Sequence, residues 1–297
     1  MQFLEAIFPP LVFAFTVSGM ATMGLQSRTS ELIAAFTDKK SMALILVWGW
    51  VLGPALGYLI AVVLPLAEAH VVGLLLYSLA PCAPFLPLMV GTARGDVSFA
   101  AALVPIVAVG TVVFMPLMGP LMIDGLSISA WDLAKVLLMY ILIPLTLGAA
   151  LRQFADTAAT RIFPAVNVFA KITTALTPLV AIVIYWREML DTAGSFALLS
   201  MAIFMVVIAL ITYRFGFGLK QGQRSVMSLG MLTRNGSVVL IAAIAMPNVD
   251  PGIITYVVMF VIASFVVAAI AARIFGKLAG GGGTVGSGSA TPDRKAP

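Results

Sequence analysis

Charge is scarce in this chain. Only 10% of its 297 residues are Asp, Glu, Lys or Arg, where soluble chains carry about 25%. There is one cysteine, Cys82, so an internal disulfide and a thiolate metal cluster are both excluded. There is one histidine, His70. It is placed alone at an outer interface, which leaves no metal site to build on it. Acidic residues are too few and too scattered for acid–base chemistry at depth. Intramembrane proteolysis needs an aspartate pair or a Ser/His pair, and prenyl or phosphoryl transfer needs clustered carboxylates. Neither set occurs in the apolar runs, so an enzyme is the weakest reading and no cofactor is implied.

What fills the chain instead is apolar. Hydrophobic residues make up 61%, and the mean hydropathy is +1.10. Long unbroken apolar runs, without strict alternation, imply an all-α polytopic membrane protein. Nine spans fit, at about 4–26, 41–65, 70–93, 97–123, 130–151, 163–186, 195–216, 224–246 and 251–275. The first is read as a retained span, because Met1–Gly24 has no basic n-region. Residues 1–279 form the transmembrane domain; 280–297, rich in Gly, Ser, Thr and Pro, form a disordered cytoplasmic tail.

The net charge of +5 reflects loop bias rather than nucleic-acid binding. With nine spans, Arg28, Lys39, Lys40, Arg94, Arg152, Arg161, Arg214, Lys220, Arg224, Arg273, Lys277, Arg294 and Lys295 fall on one side, and Arg187 and Lys135 on the other. The bias puts the N-terminus outside and the C-terminus in the cytoplasm, with Trp131 and Trp186 in the outer aromatic belt; the expected location is a bacterial inner (plasma) membrane.

Two spans carry interruptions. Pro81, Pro84 and Pro87 crowd the third, and each removes a helix donor and clashes with the preceding turn. The eighth contains Gly230-Met231-Leu232-Thr233-Arg234-Asn235-Gly236-Ser237, where glycines flank a polar cluster and a charge. Broken helices at matching places in two halves point to a transporter built from inverted repeats, with its site at the breaks. A buried arginine costs roughly 2.5–3.5 kcal/mol on insertion scales and marks a substrate or ion path. No carboxylate lies at that depth, so an incoming anion is the partner expected for Arg234. The competing role is a structural pin held by helix-end carbonyls. Thr233, Asn235 and Ser237 offer partners for a substrate or for the broken helix itself. Pro84 and Pro87 complete the expected substrate-binding set. Asn167 and Lys171 share a helical face, with Lys171 snorkelling to the interface. Gly53-Pro54-Ala55-Leu56-Gly57 reads as a helix-packing surface, and Cys82 as a small packing residue.

Three stretches resemble the bile acid:sodium symporter family. They are Met23-Gly24-Leu25-Gln26 with Ser30-Glu31-Leu32 and Lys39-Lys40; Pro81 through Ala93-Arg94-Gly95-Asp96; and Leu229-Gly230-Met231 through Val239-Leu240. The resemblance implies two inverted repeats of five helices, a panel and a core domain, crossing broken helices and sodium-driven import of organic anions. The chain begins at the position of the family's second helix, which accounts for nine spans. The family's sodium-ligand positions fall here on Leu86, Pro87, Ala100, Val104, Ser228 and Leu232. Only Ser228 offers a side-chain oxygen for a hard cation, so Ser228 is the one ion-binding candidate and Na+ enters through the resemblance alone. Arg234 would supply permanently the charge that sodium supplies in relatives. The expected partners are a small organic anion and membrane lipid. A channel or receptor-like module is the alternative, although a pore would show polar stripes along several helices.

Overall fold

The computed structural model describes residues 2–27, 38–123, 126 and 128–281. The expected basic or motif residues Arg28, Ser30, Glu31, Leu32, Arg294 and Lys295 lie outside them, as does most of the expected tail. Eleven helices are described: α1 Gln2–Gln26, α2 Lys39–Val63, α3 Glu68–Ser78, α4 Leu86–Val90, α5 Val97–Met122, α6 Ala130–Phe154, α7 Asp156–Ala193, α8 Ala197–Arg214, α9 Gln221–Leu232, α10 Gly236–Ile244 and α11 Pro251–Gly281. Seven of them, α1, α2, α5, α6, α7, α8 and α11, are long and apolar enough to cross a membrane. The stretches 70–93 and 224–246 are each divided between two shorter helices, α3 with α4 and α9 with α10.

Local chemistry sets the helix ends. Asp38 caps α2: its carboxylate accepts the Lys40 and Ser41 amides at 3.2 Å and the Ser41 hydroxyl at 2.5 Å. These bonds, the Ser41 hydroxyl first, hold the Asp38 carboxyl below the usual range. Asp96 caps α5 by accepting the Phe99 amide at 2.9 Å. Both α2 and α6 widen into a π turn, at Val47–Leu52 and Leu138–Leu142. Each π turn ends just before an X-Pro pair, Gly53-Pro54 or Ile143-Pro144. Proline has no N–H and crowds the carbonyl four residues back, and the wider turn relieves that clash.

The loop expected over 152–162 is absent. Only Ala155 separates α6 from α7. The Arg152–Asp156 ion pair (2.7 Å) and the bond from Arg152 Nη1 to Thr160 Oγ1 (3.0 Å) tie the two helices across that residue. Helix α7 then runs 38 residues to Ala193, with a kink at Tyr185 (φ −108°, ψ 22°). Helix α11 continues to Gly281, past the expected start of the tail.

Helix α1 packs against α6 and α7. Gly24 and Gly148 let the α1 and α6 backbones touch: a Cβ on Gly148 would lie 2.6 Å from the Ala21 carbonyl oxygen, a small-residue contact typical of membrane helices. Thr173 of α7 bonds Ser18 of α1 at 3.2 Å. The remaining helices gather around the two divided stretches. An aromatic cluster stands beside them, with Tyr77 stacked on Phe260 at 4.0 Å and Phe204 edge-on to Phe260 at 5.8 Å.

Candidate functional site

The two helix interruptions meet. Pro81 and Arg234 form an isolated antiparallel bridge. On either side, the Cys82 amide donates to the Thr233 carbonyl (2.9 Å) and the Asn235 amide donates to the Ala80 carbonyl (2.7 Å). Main-chain groups freed at each break thus pair with the other break, as buried backbone requires. Cys82 also donates to the Gly230 carbonyl at 2.9 Å, and its φ of 65° is in the left-handed region.

The glycines do not themselves cause the interruption. Gly230 lies within α9 and Gly236 opens α10. Both are close-approach positions: a Cβ on Gly230 would sit 2.9 Å from Leu103 Cδ2, and one on Gly236 would collide with Val261. The break falls at Thr233–Asn235, where Thr233 is extended and Asn235 caps α10 through a bond from the Val238 amide (3.4 Å).

Arg234 is the largest fully buried side chain among the described residues, at 0% exposure. Its Nη1 donates to the Ser78 carbonyl at 2.9 Å and to the Gly49 carbonyl at 3.4 Å. Its Cζ lies over the Phe204 ring at 5.0 Å, a cation–π contact strengthened by burial. No carboxylate pairs with it among the described residues. Its Nε and Nη2 have no hydrogen-bond partner among the described residues. Those two N–H groups form one planar edge of the guanidinium, the fork that takes two carboxylate oxygens at once. The edge borders Gly53, where an added Cβ would strike Nη2. In the Gly53–Gly57 stretch expected to pack helices, Gly57 meets Ser78 of α3 and Gly53 meets Arg234, while Gly49, one turn earlier, meets Pro81.

The polar neighbours of Arg234 serve the break. Thr233 Oγ1 donates to the Leu229 carbonyl (2.7 Å) and accepts the Ala83 amide (3.4 Å). The Ser237 hydroxyl donates to Asn235 Oδ1 at 2.8 Å. Of the expected prolines, Pro84 is half-buried and Pro87 is exposed on α4. It is Pro81 that stands opposite Arg234. The Ser228 hydroxyl is turned to α8, donating to the Ala209 carbonyl at 2.9 Å. His70 is not alone at an interface. It is buried, stacked on Tyr256 at 5.6 Å and 3.4 Å from the Thr192 hydroxyl. Lys171 is exposed and Asn167 half-buried. Among the described residues, no group of three or more His, Cys, Asp or Glu side chains could hold a metal.

Gly49, Gly53, Ser78, Pro81 and Phe204 are the site residues that sequence reasoning missed. One signal was present: a helix with glycines at 49, 53 and 57 and a proline at 54 offers both a smooth face and a spare carbonyl.

Residues 14–192 match the profile of the Sodium Bile acid symporter family. The chain belongs to that family. The match covers the first break and stops short of Arg234. Members of the sodium bile acid symporter family are transporters, not enzymes, and the chain is an integral, multi-pass membrane protein. It is also similar to "Probable sodium/metabolite cotransporter BASS3, chloroplastic" of Arabidopsis thaliana, with 25% identity over 158 residues. That stretch is 53% of this chain and 37% of the relative, so the chain spans well under two thirds of the relative's length.

Proposed function

We propose that this protein is a secondary transporter that carries a small organic anion by alternating access, with the substrate seated where the two breaks cross. One observation carries the reading: a fully buried arginine keeps its Nε/Nη2 edge free of hydrogen-bond partners among the described residues. Buried charge without a partner is costly, and a carboxylate or sulfonate would satisfy it. Family membership supports transport, and the relative's name supports a small metabolite as cargo. Arg234 binds the anion as a fork, Gly53 leaves room for the guanidinium, and Asn235, Thr233 and Ser237 hold the crossing in shape. In this reading the seven long helices and the two divided ones make nine crossings related by an inverted repeat. The N-terminus is outside and the membrane is the bacterial inner (plasma) membrane.

Because Arg234 is closed off from solvent, transport requires the helices around the crossing to part, first on one side and then on the other. Purified protein reconstituted into vesicles and offered labelled carboxylates and sulfonates tests this. Saturable uptake with counterflow is expected. Flux that neither saturates nor exchanges would mark a pore instead.

A further inference from the structure

We propose that the Arg234 guanidinium is a tethered cation: it fills a site lined by main-chain oxygens between α2 and the end of α3, where it takes the place of a bound alkali ion. The proposal rests on the crossing being the transport site, and concerns what drives it.

Two carbonyls converge on Nη1, and each is free for a local reason. In the π turn of α2 the Gly53 amide donates to Trp48. The next residue is Pro54, which has no N–H to give, so the Gly49 carbonyl is left over. At the end of α3 the Leu79 and Ala80 amides turn back to Leu76 and Tyr77, and the Cys82 amide goes to Gly230 and Thr233. The Ser78 carbonyl therefore lacks a main-chain donor among the described residues. It also belongs to the negative end of a helix. Two carbonyl oxygens left without main-chain donors, with no carboxylate beside them, attract a positive charge and would supply part of a hard cation's oxygen shell. The cation present is covalently attached. Nη1 meets both oxygens, Phe204 covers the guanidinium, and Gly53 provides the space. While the side chain is there, an alkali ion has neither room nor free oxygens. The transporter thus carries its own positive charge at the crossing and runs without a sodium gradient.

The full chain in detergent tests this through thermal unfolding followed by tryptophan fluorescence. Wild-type protein should unfold at the same temperature in sodium chloride and in N-methylglucamine chloride of equal ionic strength. Arg234→Ala should unfold lower by roughly 5 °C, and methylguanidinium should recover part of that loss where neutral methylurea does not. A sodium-specific rise in the wild-type unfolding temperature would overturn the proposal. So would equal effects of methylguanidinium and methylurea on the variant. If Arg234→Ala does not fold, the wild-type comparison still decides, and Arg234→Lys, which keeps a charge, should fold and remain insensitive to sodium. Sodium-insensitive protein that takes up no anion would sink the transport reading alone. Anion uptake that needs both Arg234 and sodium would sink the tethered cation alone.

Discussion

Pro81 and Arg234 face each other across an antiparallel bridge, although 150-odd residues of chain separate them. Proline cannot donate, so the bonds fall to their neighbours: Cys82 gives its amide to Thr233, and Asn235 gives its amide to Ala80. Two interrupted stretches repair each other, and the side chain left at the repair is a buried cation.

Replacing Arg234 separates charge from shape. Arg234→Leu should abolish anion uptake, because nothing else described at the crossing is charged. Arg234→Lys keeps the charge but loses the planar fork. Its uptake should fall roughly 10- to 100-fold, the loss of about 1.5–3 kcal/mol of charge-assisted bonding. Vesicle uptake, with gel filtration to establish folding, measures both. Normal transport by a folded Arg234→Leu protein would refute the anion site.

Gly53→Ala should disturb the site without changing its charge. The new Cβ would lie 3.1 Å from Arg234 Cζ and collide with Nη2, and overpacking of this kind costs about 1–3 kcal/mol. Gly19→Ala in α1 is the control, since nothing lies within 4 Å of its Cβ position. It should be neutral or stabilising by up to about 1 kcal/mol. Unfolding temperatures of the two variants should move in opposite directions, or Gly53→Ala should fall alone.

Cys82 reports whether the crossing opens. Its side chain is 2% exposed, so a membrane-permeant thiol reagent should not label the resting protein. Labelling should speed up during turnover, when the breaks part. Equal labelling rates with and without transported substrate would show that the crossing stays shut. Cys82→Gly should also be tolerated, because φ of 65° costs a non-glycine residue about 1 kcal/mol or more.

The Asp38 cap gives a pH dependence of known sign. Its folded carboxyl titrates below the ordinary value, chiefly through the Ser41 hydroxyl. Stability from the cap is therefore complete above the unfolded value, about 3.9, and is lost as pH falls through the lower folded value. Asp38→Ala should cost about 1 kcal/mol at neutral pH and nothing once the carboxylate is protonated. Unfolding of wild type and variant compared between neutral and acidic pH reads the difference.

Much of this was legible in residue order. Pro81, Pro84 and Pro87 announce an interruption, because proline cannot continue a helix through three such positions. Arg234 stands out because no carboxylate shares its depth. Other features were not legible. The 152–162 segment looks like a polar loop until Arg152, Asp156 and Thr160 are seen holding helix to helix across one residue. Pro84 and Pro87 look like site residues until the turn at Cys82 places Pro81 opposite the arginine. His70 looks solitary because Thr192 and Tyr256 reach it from distant parts of the chain.

By itself the amino-acid sequence determined that this protein lives in a membrane, that two of its apolar stretches are interrupted, and that one cation is stranded among them. Those properties follow from transfer energies and from proline's missing N–H, which depend on residue type and near neighbours. Tertiary structure alone decided which oxygens meet that cation and which of its N–H groups stay free. Gly49, Ser78 and Phe204 are brought to Arg234 by the packing of α2, α3 and α8, over distances along the chain that no local pattern encodes.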